Sequence, residues 1–147
     1  ACAAQIPWQL DDGFDLMLPV MQSDITLDKD NKILIIDAKY YAHTMQVQYD
    51  VHTVHSGNLY QIFTYVKNKQ TECAEEQVSG MLLYAKTDEE IVPDQTYQMS
   101  GNKIAVMTLD LNCDFSVIAA QLDRIVTESH KIVYADAGSI YVVYNNK

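Results

Sequence analysis

The stretch SDITLDKDNKILIIDAKYY, residues 23–41, ends an otherwise apolar strand pattern with two charged residues. Its polar centre, LDKDNK, supplies turn-forming residues between two arms rich in β-formers, which predicts a β-hairpin. With Asp30 and Asn31 at the tip, antiparallel pairing places Thr26 opposite Ile35. This hairpin constrains the rest of the fold, because one register decides which side chains meet at its inner end.

Three charged side chains are predicted to meet at that inner end. The same register places Asp24 beside Asp37, and Asp37 and Lys39, two apart on a strand, point to one face. Neighbouring aspartates repel, so one takes up a proton unless a cation lies between them. Mg²⁺ suits two carboxylates and activates water for attack on a phosphodiester, and Lys39 would orient that water. The alternative is a solvated strand end with an ordinary Asp24–Lys39 surface ion pair.

A helix is predicted downstream, with Ser56 or Asn58 as its N-cap. Within it, apolar residues recur at helical spacing at Leu59, Ile62, Phe63 and Val66. Gln61 and Tyr65 are four residues apart, so they share one face of this helix. The helix therefore offers a polar pair as well as an apolar face.

The remaining segments predict further strands and a second helix. Residues 5–27 are predicted to be extended, and the polar residues 42–57 to form a connecting loop. Strands are predicted at 79–86, which is continuously apolar, and near 96–100 and 103–111.

A final helix is predicted to run to about residue 129, capped by Asp114 or Asn112. Its predicted buried side consists of Phe115, Ile118, Leu122 and Ile125. The tail is predicted to form a hairpin that turns at residues 136–139. Strands and helices mix without strict alternation, which predicts an α/β fold with a mixed sheet.

Composition limits the classes of function. The 147 residues suffice for one domain, and a net charge of -10 argues against strong unaided binding to nucleic acid. The three cysteines, an odd number without C-x-x-C spacing, favour reduced thiols over a disulfide framework. No apolar run is long enough for a membrane span and no signal peptide is recognisable, so a soluble, cytoplasmic protein is predicted. Because the chain begins at Ala1 without an initiator Met, it is predicted to be a fragment.

Histidines and tyrosines offer weaker candidates. His43, His52 and His55 cluster in the polar loop, where a transition-metal site and a solvent-exposed or DNA-facing loop are the alternatives, the second being favoured. Nucleic-acid stacking surfaces interleave aromatic residues with Lys and Arg, which are scarce here. The pattern therefore favours packing at strand positions for Tyr40, Tyr41 and Tyr84.

The order of these residues resembles the PD-(D/E)xK nuclease superfamily, whose restriction-endonuclease-like core is a mixed β-sheet flanked by α-helices. The closer resemblance is to the C-terminal nuclease domain of the McrC family, the cleavage subunits of McrBC restriction systems. It covers residues 18 to 125 and rests on four segments in the same order: Ser23-Asp24, ILIIDAKYY, LYQIFTYV and MTLDLNCDF. Residues 1–147 are thus interpreted as one nuclease-like domain.

The resemblance implies a DNA endonuclease that uses Mg²⁺, with Mn²⁺ as an alternative. It implies that Asp24, Asp37 and the backbone carbonyl of Ala38 bind the metal and that Lys39 assists the attacking water. Gln61 would position the lysine or the DNA backbone. The implied partner is a McrB-type AAA+ GTPase that recognises methylated cytosine and delivers the DNA.

The sequence departs from the family pattern at two points. Ser23 replaces the motif proline, which leaves the metal-binding carboxylate in place, and no pattern before Asp24 predicts the helix that usually begins the superfamily core. The missing helix and the acidic charge support a rival reading. The rival is a non-catalytic acidic scaffold with a nuclease-like fold that binds an AAA+ partner. A domain without its first helix would also be suited to pairing with a second copy of itself.

Overall fold

The computed structural model describes residues 2–41, 45–48, 51–88, 92–129, 132–136 and 139–143. The chain divides into two compact units, Ala1–Leu109 and Asp110–Lys147. In the first unit the elements are β1 (Cys2–Ile6), β2 (Met21–Lys29), β3 (Lys32–Lys39), β4 (Met45–Gln48), β5 (Val51–Val54), α1 (Ser56–Glu72), β6 (Gln77–Ala85), β7 (Gln95–Met99) and β8 (Asn102–Leu109). The second unit contains α2 (Phe115–Ser129), β9 (Ile132–Asp136) and β10 (Ser139–Val143).

A six-stranded mixed sheet organises the first unit, in the order β1-β2-β3-β6-β8-β7. The central strands β3, β6 and β8 are parallel to one another, whereas β1, β2 and β7 pair antiparallel at the two sides. The prediction of an α/β fold with a mixed sheet is therefore confirmed. The predicted strands at 79–86, 96–100 and 103–111 correspond to β6, β7 and β8.

The β2–β3 hairpin has the predicted register, with Thr26 paired to Ile35 and Lys29 to Lys32. Asp30 and Asn31 form its tip and have φ angles of 53° and 60°. Both residue types tolerate this left-handed conformation, which a two-residue hairpin turn requires. The short turn thus fixes the register along the hairpin.

Helix α1 packs closely against the central strand β6. A Cβ atom at Gly80 would lie 2.6 Å from Cγ2 of Val66 and 2.8 Å from Cγ1 of Ile62, so the helix approaches the bare backbone. The core formed there consists of Ile6, Met21, Ile33, Ile35, Ile62, Tyr65, Val66, Val78, Leu82, Tyr84, Ile104 and Val106. The same face of the sheet ends in the polar side chains of the candidate site.

Three local predictions for the first unit are wrong. Residues 42–57 were expected to form a loop, but β4 and β5 pair as an antiparallel hairpin within that stretch. Residues 7–20, predicted to be extended, form an irregular segment in which the Trp8 indole N–H donates to the Pro19 carbonyl at 2.7 Å. Helix α1 has His55 at its N-cap without a side-chain hydrogen bond, so neither Ser56 nor Asn58 caps it.

The second unit confirms the predicted helix and hairpin. The carbonyl of Asp114 accepts hydrogen bonds from the first turn of α2, and β9 pairs with β10 from Asp136 opposite Ser139. The predicted buried face of α2 is only partly correct. Ile125 is buried, but Phe115 is 82% exposed and Leu122 38% exposed, since the helical period does not show how far a core extends.

Neither of the described helices is long and apolar enough to cross a membrane. Cys73 and Cys113 are free thiols, while the side chain of Cys2 lies outside the described part of the structure.

Candidate active site

The β2–β3 ladder ends in a side-chain contact that brings two carboxylates together. Regular pairing ends at Ile25 and Ile36, and beyond it the backbone N–H of Ala38 donates to Oδ2 of Asp24 at 2.8 Å. The Asp24 carboxylate thus takes the place of a backbone acceptor. It lies close enough to Asp37 to help raise the pKa of that residue, in agreement with the hairpin register.

Ser23 occupies the position of the motif proline and anchors β2. The side chain is 1% exposed, and its hydroxyl shares a hydrogen bond of 2.8 Å with that of Thr26 and contacts the Ala4 carbonyl at 3.4 Å. These contacts hold the strand that carries Asp24 without the ring of a proline.

Asp37 is a buried carboxylate, 4% exposed, at the end of β3. Its Oδ2 forms an ion pair with Nζ of Lys39 at 2.7 Å but has no hydrogen-bond donor of good geometry in the described part of the chain. Burial raises the pKa of Asp37, and the nearby Asp24 raises it further, against the opposing effect of Lys39. The ionised form of Asp37 is therefore disfavoured, and the charge of Lys39 does not fully compensate for this.

Lys39 is held from the other side by helix α1. Its Nζ donates to Oε1 of Gln61 at 3.0 Å, and Nε2 of Gln61 donates to the Tyr65 hydroxyl at 2.9 Å. Burial alone would lower the pKa of Lys39, but the close contact with the Asp37 carboxylate and its negative charge outweigh burial and raise it. The ammonium group thus stays protonated at neutral pH and points between helix and carboxylate.

A second polar chain lies beside the first. The Tyr41 hydroxyl donates to Oδ1 of Asn58 at 3.1 Å, and Nδ2 of Asn58 donates to the Tyr84 hydroxyl at 2.9 Å. The Tyr41 ring lies 5.0 Å from that of His55 and 6.2 Å from that of Tyr84, measured between centroids. Burial raises the pKa of Tyr84, which keeps its hydroxyl neutral. Sequence reasoning missed these hydrogen bonds, because it considered Asn58 only as a candidate helix cap.

The donors present fit a hard divalent cation. Mg²⁺ needs only one or two protein carboxylates, and the buried Oδ2 of Asp37 is a strong acceptor without a donor of good geometry. A cation beside Asp24 and Asp37 would also offset the burial and the repulsion that together raise the pKa of Asp37. In the described residues no three His, Cys, Asp or Glu side chains gather, so water and substrate oxygens would complete the shell. The carbonyl of Ala38 as a further ligand stays a prediction.

The aromatic and histidine predictions have mixed outcomes. Tyr84 is packed as predicted, but Tyr40 is 83% exposed and Tyr41 38% exposed, because β3 ends at Lys39 and the chain leaves the sheet. His55 packs against Tyr41. His43 and the side chain of His52 lie outside the described part of the structure, so the alternatives for the histidine loop stay untested.

Fold and site together define a class: an α/β domain with a mixed sheet and a carboxylate–lysine–glutamine cluster where a central parallel strand ends. The chain is 33% identical over 112 residues, 76% of its length, to the type IV methyl-directed restriction enzyme EcoKMcrBC of Escherichia coli strain K12. It spans 31% of that relative, or about a third of its length.

A solved structure shows a similar fold. With a TM-score of 0.51 and 14% identity, the chain is similar to one in a half-complex from the tetradecameric assembly of Thermococcus gammatolerans McrB AAA+ hexamers with bound McrC. The similarity covers 84% of this chain and 28% of that one. No protein-family model matches. The sequence relationship supports a McrC-type protein, and the structural similarity shows a shared fold.

Proposed function

We propose that this chain is the DNA-cleaving part of a McrBC-type restriction system, a Mg²⁺-dependent endodeoxyribonuclease. The observation that carries the proposal is the buried, poorly compensated Asp37, with Asp24 on one side and Lys39 on the other. A solvated strand end would leave Asp37 and Lys39 in water, with pKa values near the ordinary range. The relationship to a methyl-directed restriction enzyme supports phosphodiesters of modified DNA as the substrate.

Each polar residue has a role that follows from its contacts. Asp24 and Asp37 would hold the cation, which when bound supplies Lewis-acid polarisation of a phosphate oxygen and a water of lowered pKa. The Lys39 ammonium would donate a hydrogen bond to a phosphate oxygen as negative charge develops on it. Gln61 accepts one of the lysine's hydrogen bonds and so fixes the direction of the remaining ones.

The charge of the chain supports delivery of DNA by a partner. A net charge of -10 repels a phosphate backbone, so free encounters with DNA are disfavoured. A McrB-type AAA+ GTPase that binds methylated DNA and this chain together would overcome that repulsion. The structural relative from an assembly of McrB AAA+ hexamers with bound McrC supports this choice of partner.

The test is cleavage of plasmid DNA containing methylated cytosine, with the AAA+ GTPase, GTP and Mg²⁺. The Asp37→Asn variant should cleave roughly 10²–10³-fold more slowly, because it removes a metal ligand and its charge. Asp28→Asn is the matched control, since Asp28 is an exposed aspartate on the same strand as Asp24 and lies near the hairpin tip. It should cleave at the parental rate.

Cleavage by Asp37→Asn at the parental rate would contradict the proposal. If the parental chain binds the GTPase and DNA but shows no metal-dependent cleavage, the acidic scaffold replaces the nuclease as the reading of this fold. The two outcomes differ, because the scaffold predicts a complex that assembles equally with either variant and cuts with neither.

A further inference from the structure

Helix α1 holds the end of β3 by two side-chain hydrogen bonds rather than one. Gln61 accepts from Lys39, and Asn58, three residues earlier on the same helix, accepts from Tyr41. Asn58 and Gln61 are three apart on the helix, and Lys39 and Tyr41 are two apart in an extended segment. These two spacings are similar, so the two hydrogen bonds lie side by side. The second bond has no part in the proposed chemistry and needs its own reason.

Backbone pairing supports this end of β3 on one side only. Toward β6 the ladder continues to Lys39, which is paired with Tyr84. Toward β2 regular pairing stops at Ile36, where the Asp24 side chain takes over. The segment that carries the lysine therefore depends on side chains to fix its direction.

Asn58 supplies that support from a buried position. It is 8% exposed, its carbonyl oxygen accepts from Tyr41, and its N–H₂ group donates to Tyr84, which is 1% exposed. Tyr84 is the residue paired with Lys39, so Asn58 links the neighbouring strand β6 to the segment that follows Lys39. A buried amide is expensive unless bonded, and an apolar side chain would fill the same space at lower cost if packing were its only role.

We propose that Asn58 is a positioning residue for Lys39, acting through Tyr41 and Tyr84. The geometric part of this inference follows from the hydrogen bonds of Gln61 and Asn58. Its effect on catalysis rests on the proposed nuclease function. Tyr41, 38% exposed, loses side-chain freedom because its hydroxyl is tied down, and this restrains the backbone directly after the lysine. The backbone of Lys39 is then held in one position, so the ammonium approaches the phosphate in one orientation. This raises the rate of cleavage without adding a contact to DNA.

The test compares Tyr41→Phe and Asn58→Leu with Tyr97→Phe as the control. Tyr97 is 40% exposed on the edge strand β7, so its side chain is about as exposed as that of Tyr41 but distant from Lys39 in the sheet order. Two readouts are measured on the full chain. The first is kcat and KM for DNA cleavage with the AAA+ GTPase, and the second is the order parameter of the Lys39 ε-methylene from NMR relaxation. The second readout needs neither metal nor DNA.

Both variants should lower kcat about tenfold with KM unchanged, and the Lys39 ε-methylene should become more mobile. Tyr97→Phe should match the parent in both measurements. The Tyr41→Phe, Asn58→Leu double variant should be no slower than Asn58→Leu alone, because both changes break one unit. If Asn58→Leu does not fold, Tyr41→Phe decides, since it removes one oxygen from a half-exposed ring.

Parental kcat together with parental Lys39 order in Tyr41→Phe would overturn the proposal and leave Asn58 as a packing residue. Failure of the nuclease function has another signature, namely no dependence of cleavage on Asp37. In that case the Lys39 order still decides the positioning role.

Discussion

Two polar clusters lie along helix α1, and they differ in whether their hydrogen bonds are complete. The cluster toward the C-terminal half joins Lys67 to the Ser100 carbonyl and to Asn102. The Asn102 amide donates to Gln70 and to the Val78 carbonyl, both at 2.9 Å. In this cluster a buried asparagine has both ends bonded, and the network ties a turn and a strand to the helix.

The cluster around Asp37 and Lys39 is built differently. One carboxylate oxygen is buried without a donor of good geometry among the described residues, a second carboxylate lies beside it, and the pKa of Asp37 is raised. Buried polar groups are normally satisfied, so the two clusters mark different roles. The complete network stabilises the fold, and the incomplete one is where we propose that a cation and the substrate bind.

The largest expected difference is in stability. Asn102→Ala should lower the free energy of unfolding by about 2–3 kcal/mol, because Lys67 and Gln70 lose buried partners. Asp37→Asn should not lower it, since the change removes a charge that burial disfavours. Urea denaturation of both variants checks this. A larger loss for Asp37→Asn than for Asn102→Ala would contradict the distinction between the clusters.

An intermediate effect is expected from Tyr65→Phe. This change deletes the acceptor for the Gln61 amide and frees Gln61 to rotate away from Lys39. Cleavage should slow about tenfold while stability falls by only about 1 kcal/mol. Tyr60→Phe, on the same helix but 68% exposed, is the control and should behave like the parent. Equal rates for the two variants would remove Tyr65 from the account.

The smallest expected effect is in the pH dependence of stability. The pKa of Asp37 is raised above its ordinary value of 3.8, so the folded state retains a proton that the unfolded state has lost. The contribution of Asp37 to stability therefore increases as pH falls through the raised pKa, and it levels off below 3.8. Subtracting the unfolding free energies of Asp37→Asn from those of the parent across acidic pH isolates this contribution. A difference that increases with pH would mean that the effect of Lys39 on the Asp37 pKa outweighs the effect of burial.

Local patterns predicted much of the fold around the site. The tip at Asp30 and Asn31 fixed the register of β2 and β3, because turn chemistry and the period of two act over few residues. The helical period likewise placed Gln61 four residues before Tyr65, where the structure shows a hydrogen bond. Asp24, Asp37, Lys39 and Gln61 are brought together by the fold, and their catalytic roles stay predictions.

The misses have physical reasons. The alternation Met45-Gln46-Val47-Gln48 is a strand signal, but the polar composition of residues 42–57 hid it. The bond between Tyr41 and Asn58 joins the end of a strand to a helix and depends on their packing, which no local pattern encodes. The exposure of Phe115 depends on where the core ends, and the helical period of apolar residues does not encode this.

The most direct test of the central claim is calorimetric titration of the chain with Mn²⁺ and Mg²⁺. Four proteins are compared: the parent, Asp24→Asn, Asp37→Asn and the control Asp28→Asn. If Asp24 and Asp37 share one cation, the parent and Asp28→Asn should bind the metal and both other variants should lose binding. Binding that survives in Asp37→Asn, or no binding by the parent, would contradict the claim that the incomplete cluster is a metal site.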